Sequence, residues 1–326
     1  MKAWTQNGFG TPETLELHDV PTPAIPDDHV LIRVRACSVN PYDWHMLRGD
    51  PRMLRPMIAR ARGSRRDAIP GADVAGVVES VGSAVTRFSA GDEVYGEPGK
   101  GGFAEYVTVW EQALALKPSE LSFEEAGGIP MAAFTALQAL RDHGRLQAGQ
   151  SILINGAGGG IGTFAIQFAR AFGAGEITAV CGPGKAELVR SLGATRVVDY
   201  SVEDFTRSAK RYDLILDIAA NRGVTALRRA LSPRGTLVLV GGGLPGTLLG
   251  PIPMILRAKL VSLFVRQRFV TFVASTKASD LDYVNSLVVA GKLRSVVGHV
   301  VPFAEAPQAI RLLEEGHATG KIVVTM

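Results

Sequence analysis

Apolar and polar positions follow two rhythms along the chain. In the first third they alternate residue by residue: 30–36 reads as a strand, and 76–81 and 93–95 follow between glycine and aspartate turn signals. This predicts an antiparallel, β-rich region. Between Tyr42 and Asp67 the period lengthens, with Met53, Leu54, Met57 and Ile58 at helical spacing among arginines, and a short helix or flap is expected there. From about Ala126 helices and strands take turns. Apolar strands at 151–155, 177–180, 196–198, 213–217 and 236–240 are accompanied by helical runs at 163–172 and 185–192. Such alternation predicts right-handed parallel crossovers in a doubly wound α/β sheet. Past Thr271 shorter elements return, ending in a helix at 304–315 and a strand at 321–325.

A chain of 326 residues exceeds the usual size of one compact core. The rhythms place a first domain over 1–122, a nucleotide-type domain over 123–268 and a return to the first domain over 269–326. A final strand rejoining the first sheet would make the middle domain an insertion. With 46% hydrophobic and 20% charged residues, the composition is that of an ordered protein rather than a disordered one or a coiled coil. The stretch 235–256 carries no charge, but six glycines and Pro245, Pro251 and Pro253 interrupt it, so a buried strand and loop are preferred to a membrane span.

The formal net charge is only +4, yet seven arginines stand between Arg48 and Arg66 against a single acid, Asp50. A solvated helix face is the preferred reading of this cluster over an anion site, and no nucleic-acid partner is expected. Two cysteines, Cys37 and Cys181, exclude a disulfide framework and a multi-cysteine metal site, and point to a reducing, cytoplasmic location. No charged leader followed by an apolar run precedes the first strand, so secretion is not expected.

The strongest chemical signal is Asn155-Gly156-Ala157-Gly158-Gly159-Gly160-Ile161-Gly162, between a buried strand and an amphipathic helix. A diphosphate needs backbone amides close to its oxygens, hence no side chains, and a helix N-terminus aimed at its charge. The run is read as a dinucleotide loop, with Ala157, Gly159 and Gly162 at the three motif positions. An acid at the end of the next strand would bind the 2′-hydroxyl of an NAD ribose. None is there: the chain reads Val180-Cys181-Gly182-Pro183-Gly184-Lys185, which leaves room for a 2′-phosphate beside Lys185. Tyr200 would pack against the adenosine side. The alternative for Lys185 is an exposed residue at a helix start, and NADPH is the expected cofactor.

These features resemble the medium-chain dehydrogenase/reductase superfamily and, within it, the quinone oxidoreductase-like branch. The resemblance covers nearly the whole chain. It rests on Ser38-Val39-Asn40-Pro41-Tyr42-Asp43, Pro70-Gly71-Ala72-Asp73-Val74-Ala75-Gly76-Val77-Val78, Gly91-Asp92-Glu93-Val94, Gly102-Phe103-Ala104-Glu105-Tyr106, the glycine loop, Leu192-Gly193-Ala194 and Gly320-Lys321-Ile322-Val323. It implies a Rossmann sheet plus a GroES-like catalytic domain. Zinc-dependent members carry a cysteine where Asn40 stands and a histidine where Ala72 stands, so no metal is expected. His45, a lone imidazole, reads as a pocket or surface residue.

The resemblance further implies that Asn40 lies near the nicotinamide, that Thr135 and Gly241-Gly242-Gly243 line the cofactor groove, and that Lys321 approaches from the returning domain. The implied activity is hydride transfer to a quinone, an enone or a related activated double bond in an apolar carbonyl compound. Tyr42 is the proposed proton donor, with Asn40 positioning or donating; the alternative is that Tyr42 only walls the pocket and water supplies the proton. Asp43 reads as an internal pairing residue, and both cysteines as bystanders. The arginine-rich segment resembles extensions in the reticulon-interacting mitochondrial and chloroplast-envelope relatives. A second apolar and basic run, 254–272, reads as a dimer edge or pocket wall in preference to a membrane contact. A homodimer is the family expectation. The competing functional reading is an NADPH-binding regulatory or membrane-peripheral protein with little turnover.

Overall fold

The alternating positions from residue 29 build an eleven-residue strand, His29–Val39, that exposes Arg33 and Arg35 while burying its apolar residues, and is buried throughout from Ala36 to Val39. This strand organises a seven-stranded sheet in the computed structural model, which describes residues 1–62, 68–240, 252–262, 264–316 and 318–326. It pairs antiparallel with Val74–Val81, Tyr106–Trp110 and Lys321–Thr325. The last of these also pairs in parallel with Val297–Pro302, so the end of the chain completes the sheet begun at its start.

The chain divides into two units, one of Met1–Ala132 and Ser275–Met326, the other of Ala133–Ala274. Both junctions lie beyond those expected at 122/123 and 268/269. Helix Phe123–Gly127 packs on the first sheet, and a Cβ at Gly127 would stand 3.2 Å from the Ala36 carbonyl oxygen, which ties this helix to the first unit. Strand Arg268–Thr271 pairs with Leu231–Leu239 and keeps the chain in the second unit past residue 268.

In the second unit six parallel strands lie in the order Arg196–Asp199, Glu176–Cys181, Ser151–Asn155, Tyr212–Asp217, Leu231–Leu239, Arg268–Thr271. The chain starts in the middle, winds to one edge, then returns and winds to the other. The order therefore reverses between Ser151–Asn155 and Tyr212–Asp217, where an open α/β sheet leaves a crevice at its carboxyl edge.

Of the two expectations about this basic segment, the short helix is present and the solvated face changes at one residue. A helix, Pro41–Arg48, ends at Gly49 in a left-handed conformation (φ 62°), and a second, Arg55–Arg62, follows with Ile58 buried and Arg55 and Arg60 exposed. Residues 63–67, including Arg65 and Arg66, lie outside the described part. Arg48 is not on a solvated face but forks onto Glu314, with Nε to Oε1 at 2.5 Å and Nη2 to Oε2 at 2.8 Å, and Arg55 lies 5.2 Å from the centre of the Phe9 ring. Both partners are distant in sequence, so local patterning could not show them. No helix among the described residues is long and apolar enough to cross a membrane.

Candidate functional site

The first unit contains a buried polar cluster built where strand His29–Val39 turns into helix Pro41–Arg48. Asn40 is the N-cap, Pro41 opens the helix with its fixed φ, and Asp43 at the third helical position accepts the Asn40 backbone N–H at 2.7 Å. The other Asp43 oxygen accepts the Gly71 N–H at 3.1 Å; Gly71 holds φ 98°, and a Cβ there would meet the Phe103 backbone at 2.7 Å. Asp43 is thus an internal pairing residue.

Asp73, 0% exposed, joins the other side of the cluster. Its Oδ2 accepts Ser38 Oγ–H at 2.7 Å and Asn40 Nδ2–H at 2.9 Å, and its Oδ1 accepts the Met131 N–H at 3.0 Å. Lys321, 4% exposed, closes the arrangement: its Nζ donates to Asn40 Oδ1 at 2.6 Å and stands 3.7 Å from Asp73 Oδ2. Both polar atoms of the Asn40 side chain are engaged within the cluster.

Burial governs the titration of this region. Desolvation lifts Asp43 to about 7 against the pull of its two backbone donors, and lifts Glu97 to about 8 with help from Asp73; Thr276 Oγ1–H donates to Glu97 Oε2 at 3.0 Å. Desolvation lowers Lys321, and Asp73 and Asp43 oppose it. Tyr42, 40% exposed, lines a pocket with Asp43, Met46, Ile69, Pro70 and Gly71, and partial burial raises its phenol, so it carries its proton at neutral pH. Cys37 is buried with its thiol pushed well up by desolvation, and His45 stacks on Trp44 at 3.7 Å between ring centres.

The second unit holds the glycine loop at the carboxyl edge of strand Ser151–Asn155, beside the crevice. Its glycines have separate duties. Gly156 takes φ 92°, and a Cβ on Gly162 would stand 2.3 Å from the Gly156 carbonyl oxygen, so helix and loop approach only without a side chain there. At Gly159 the fold imposes no such limit: a Cβ would meet only the Gly156 oxygen, at 3.6 Å. The space above Gly159 is therefore one that a side chain would fill and a diphosphate needs. Helix Gly160–Ala171 starts three residues before the predicted 163, with Gly159 as its N-cap and Thr163 N donating to Gly159 O at 3.0 Å. The early start points the unbonded amides of the first turn at that space.

Lys185 is drawn to the same loop, since a Cβ on Gly158 would meet its side chain at 2.5 Å; burial lowers its ammonium. A Cβ on Gly182 would lie 3.4 Å from the Tyr200 hydroxyl, so these two are also neighbours. Sequence patterning overlooked a lock beneath the loop: Asn155 Nδ2 donates to Asp217 Oδ1 at 2.7 Å and to Asn221 Oδ1 at 3.0 Å, with Asp217 fully buried and raised by desolvation.

The predicted site residues thus fall into two groups. Asn40, Tyr42 and Lys321 gather in the first unit, with Asp73 and Ser38 as members the patterning did not single out. Gly156, Ala157, Gly158, Gly159, Gly160, Ile161, Gly162, Gly182, Lys185 and Tyr200 gather in the second. Thr135 is buried on helix Pro130–Gln138, and Gly241, Gly242 and Gly243 lie outside the described residues. The legible sign for Asp73 was an acid inside the apolar run Ala72-Asp73-Val74-Ala75.

Residues 26–119 match the family model of the alcohol dehydrogenase GroES-like domain, and residues 192–324 match one described as zinc-binding dehydrogenase. The cluster does not fit a zinc ion. Its oxygens already accept hydrogen bonds, it holds its own cation in Lys321, and among the described residues no group of three ligating side chains converges. A 2-methylene-furan-3-one reductase of Solanum lycopersicum is 34% identical over 99% of this chain and 79% of its own length. The mitochondrial NAD(P)H oxidoreductase RTN4IP1 of Mus musculus is 36% identical over 100% and 89%. The structure of the quinone oxidoreductase from Coxiella burnetii superposes with a TM-score of 0.86 at 30% identity, covering 100% of this chain and 99% of that one. With both sheets, the glycine loop and relatives aligned over 99% or more of its length, the chain belongs to the medium-chain dehydrogenase/reductase superfamily, in its quinone oxidoreductase-like branch.

Proposed function

We propose that the chain is a zinc-independent, cytoplasmic oxidoreductase that uses NADPH to reduce a quinone, an enone or another activated double bond in a small apolar carbonyl compound. The observation that carries the cofactor preference is Lys185 lying against Gly158 where Gly182-Pro183-Gly184 offers no carboxylate. An ammonium there favours a 2′-phosphate over a 2′-hydroxyl. The amides from Gly156 to Gly162 would hold the diphosphate, and Gly182 and Tyr200 the adenosine side.

When bound, the nicotinamide supplies hydride. The chain must supply a second element, a proton for the enolate oxygen that hydride addition creates. Tyr42 faces the pocket with its proton retained, and Met46, Ile69 and Pro70 suit an apolar acceptor. Lys321 and Asp73 hold the side chain of Asn40 from both ends and fix the start of the helix that carries Tyr42. The name of the Solanum lycopersicum relative supports a conjugated carbonyl as the acceptor.

The test is cofactor oxidation by chelator-treated protein against quinones, enones and simple aldehydes, with NADPH and NADH compared. Acceptor-dependent oxidation of NADPH is expected, and Lys185→Ala is expected to raise KM for NADPH about tenfold or more while leaving NADH unchanged. Saturable NADPH binding without turnover would replace the reductase by the regulatory reading. An equal loss with both cofactors would remove Lys185 from phosphate recognition.

A further inference from the structure

The pocket that Tyr42 lines has an apolar wall of Met46, Ile69 and Pro70, and among its described lining residues only Asp43 and Lys100 carry a carboxyl or an ammonium group. Asp43 is spent on the fold, since its two oxygens accept the Asn40 and Gly71 backbone N–H groups at 2.7 and 3.1 Å. Lys100 is not. It is exposed, and among the described residues its ammonium makes no hydrogen bond or ion pair. The described fold therefore gives this cation no structural duty.

The backbone nevertheless fixes where it stands. Lys100 is the middle residue of Gly99-Lys100-Gly101, whose glycines take φ 76° and 96°, a region that suits glycine and few other residues. Gly99 N–H donates to the Ala72 carbonyl at 3.1 Å, Gly101 N–H to that of Ile69 at 3.0 Å and Gly102 N–H to that of Gly71 at 2.9 Å. The turn is thus laced to residues 69–72, the same segment that supplies the pocket wall. A lysine held there can lay its apolar stem along the wall while its charged tip stays at the wet end.

We propose that Lys100 receives an anionic group of the acceptor, so that the substrate joins a conjugated carbonyl and an apolar body to a carboxylate or a phosphate. This rests on the reductase reading and adds a specificity-determining residue to it. Small-molecule sites are mostly apolar, with a few polar groups that fix orientation. Here the Tyr42 phenol would meet the carbonyl oxygen and the Lys100 ammonium the anion, which sets the direction in which the acceptor enters. An ammonium is a point charge without the fork of a guanidinium, so it serves a carboxylate and a phosphate alike. Because it is exposed, the contact is screened by salt and discriminates modestly.

The experiment is steady-state kinetics of the full chain with an alkyl vinyl ketone ending in a carboxylate, its methyl ester, and the same ketone ending in a phosphate. Lys100→Gln should raise KM for the anionic ketones about fivefold, and KM for the ester and for NADPH should not move. Lys100→Arg should restore the parent's values, and added salt should raise the parent's KM for the anionic ketones alone. The anion with the larger loss identifies the group that Lys100 receives. Calorimetric titration with the corresponding saturated ketones, in the presence of oxidised cofactor, reads the same contact without turnover and should show the same fivefold loss, about fivefold, in Lys100→Gln. If no acceptor is turned over, the reductase reading fails, and the titration alone decides the anion contact. Unchanged KM and affinity for both anionic ketones in Lys100→Gln would overturn the proposal. An equal loss with the ester would also overturn it, making Lys100 a wall of the pocket, as would a rise in KM for NADPH alone, which would give the ammonium to the cofactor. Thermal unfolding is the folding control, and each variant should match the parent because Lys100 is exposed.

Discussion

The two units hold their key groups in opposite ways. In the first, charged and polar side chains are buried and bonded to one another: Lys321, Asn40, Asp73 and Ser38 form one network, and backbone amides occupy both oxygens of Asp43. In the second, the glycine loop removes side chains and leaves amides pointing outward over Gly159. Side-chain networks in low dielectric give rigidity and depend on every member. Backbone cradles give access and depend on the absence of atoms. The first unit should therefore fail by losing a charge, and the second by gaining a methyl group.

The largest expected effect is at Lys321. Lys321→Met leaves Asp73 buried without its cation and should cost about 3–5 kcal/mol in urea unfolding, while Asp73→Asn/Lys321→Met should recover most of that loss. A cost below about 1 kcal/mol for the single variant would show that the cluster is not closed by charge.

Next in size, Tyr42→Phe should lower kcat about a hundredfold with cofactor affinity and stability unchanged, measured by steady-state kinetics on the best acceptor. An unaltered kcat would pass proton delivery to water and leave Tyr42 a pocket wall.

In the second unit, Gly162→Ala forces a methyl against the Gly156 carbonyl and should weaken both the fold and cofactor binding, each by about 1–3 kcal/mol. Gly159→Ala should weaken cofactor binding alone, because the fold has room for its methyl. Calorimetric binding and thermal unfolding of the pair would separate the two duties; equal effects at both positions would erase the distinction.

The last effect is spread over a pH range and appears as a slope. Glu97 holds its proton to about pH 8 in the folded state, whereas an unfolded glutamate releases it near 4.5. The folded state thus binds the extra proton between those values, and the stability it contributes declines as pH rises through that window. Glu97→Gln should flatten the decline in unfolding free energy over the same range. An unchanged slope would mean that Glu97 ionises freely in the folded chain.

Much of this is legible in the sequence. Its periodicity marks the strand at 321–325 to the residue and sets the glycine loop between the right strand and helix. What patterning misread was local chemistry with distant partners. Arg48 looked like one more solvated arginine until Glu314 met it from the far end of the chain. Helix Gly160–Ala171 was read short because glycines weaken a helical pattern, although Gly159 caps that helix. Asn40 was read as positioning or donating; only the approach of Lys321 and Asp73 engages both of its polar atoms.

The sequence by itself determined the order of elements, the two sheet types, the family and the place of the glycine loop, because period, turn residues and missing side chains are written in neighbouring positions. The tertiary structure alone decided which charges are buried together, which glycine leaves space for a ligand and which exposed lysine lines a pocket. Those outcomes depend on residues tens to hundreds of positions apart meeting in a low-dielectric interior or being left at its surface, and no local pattern encodes that meeting.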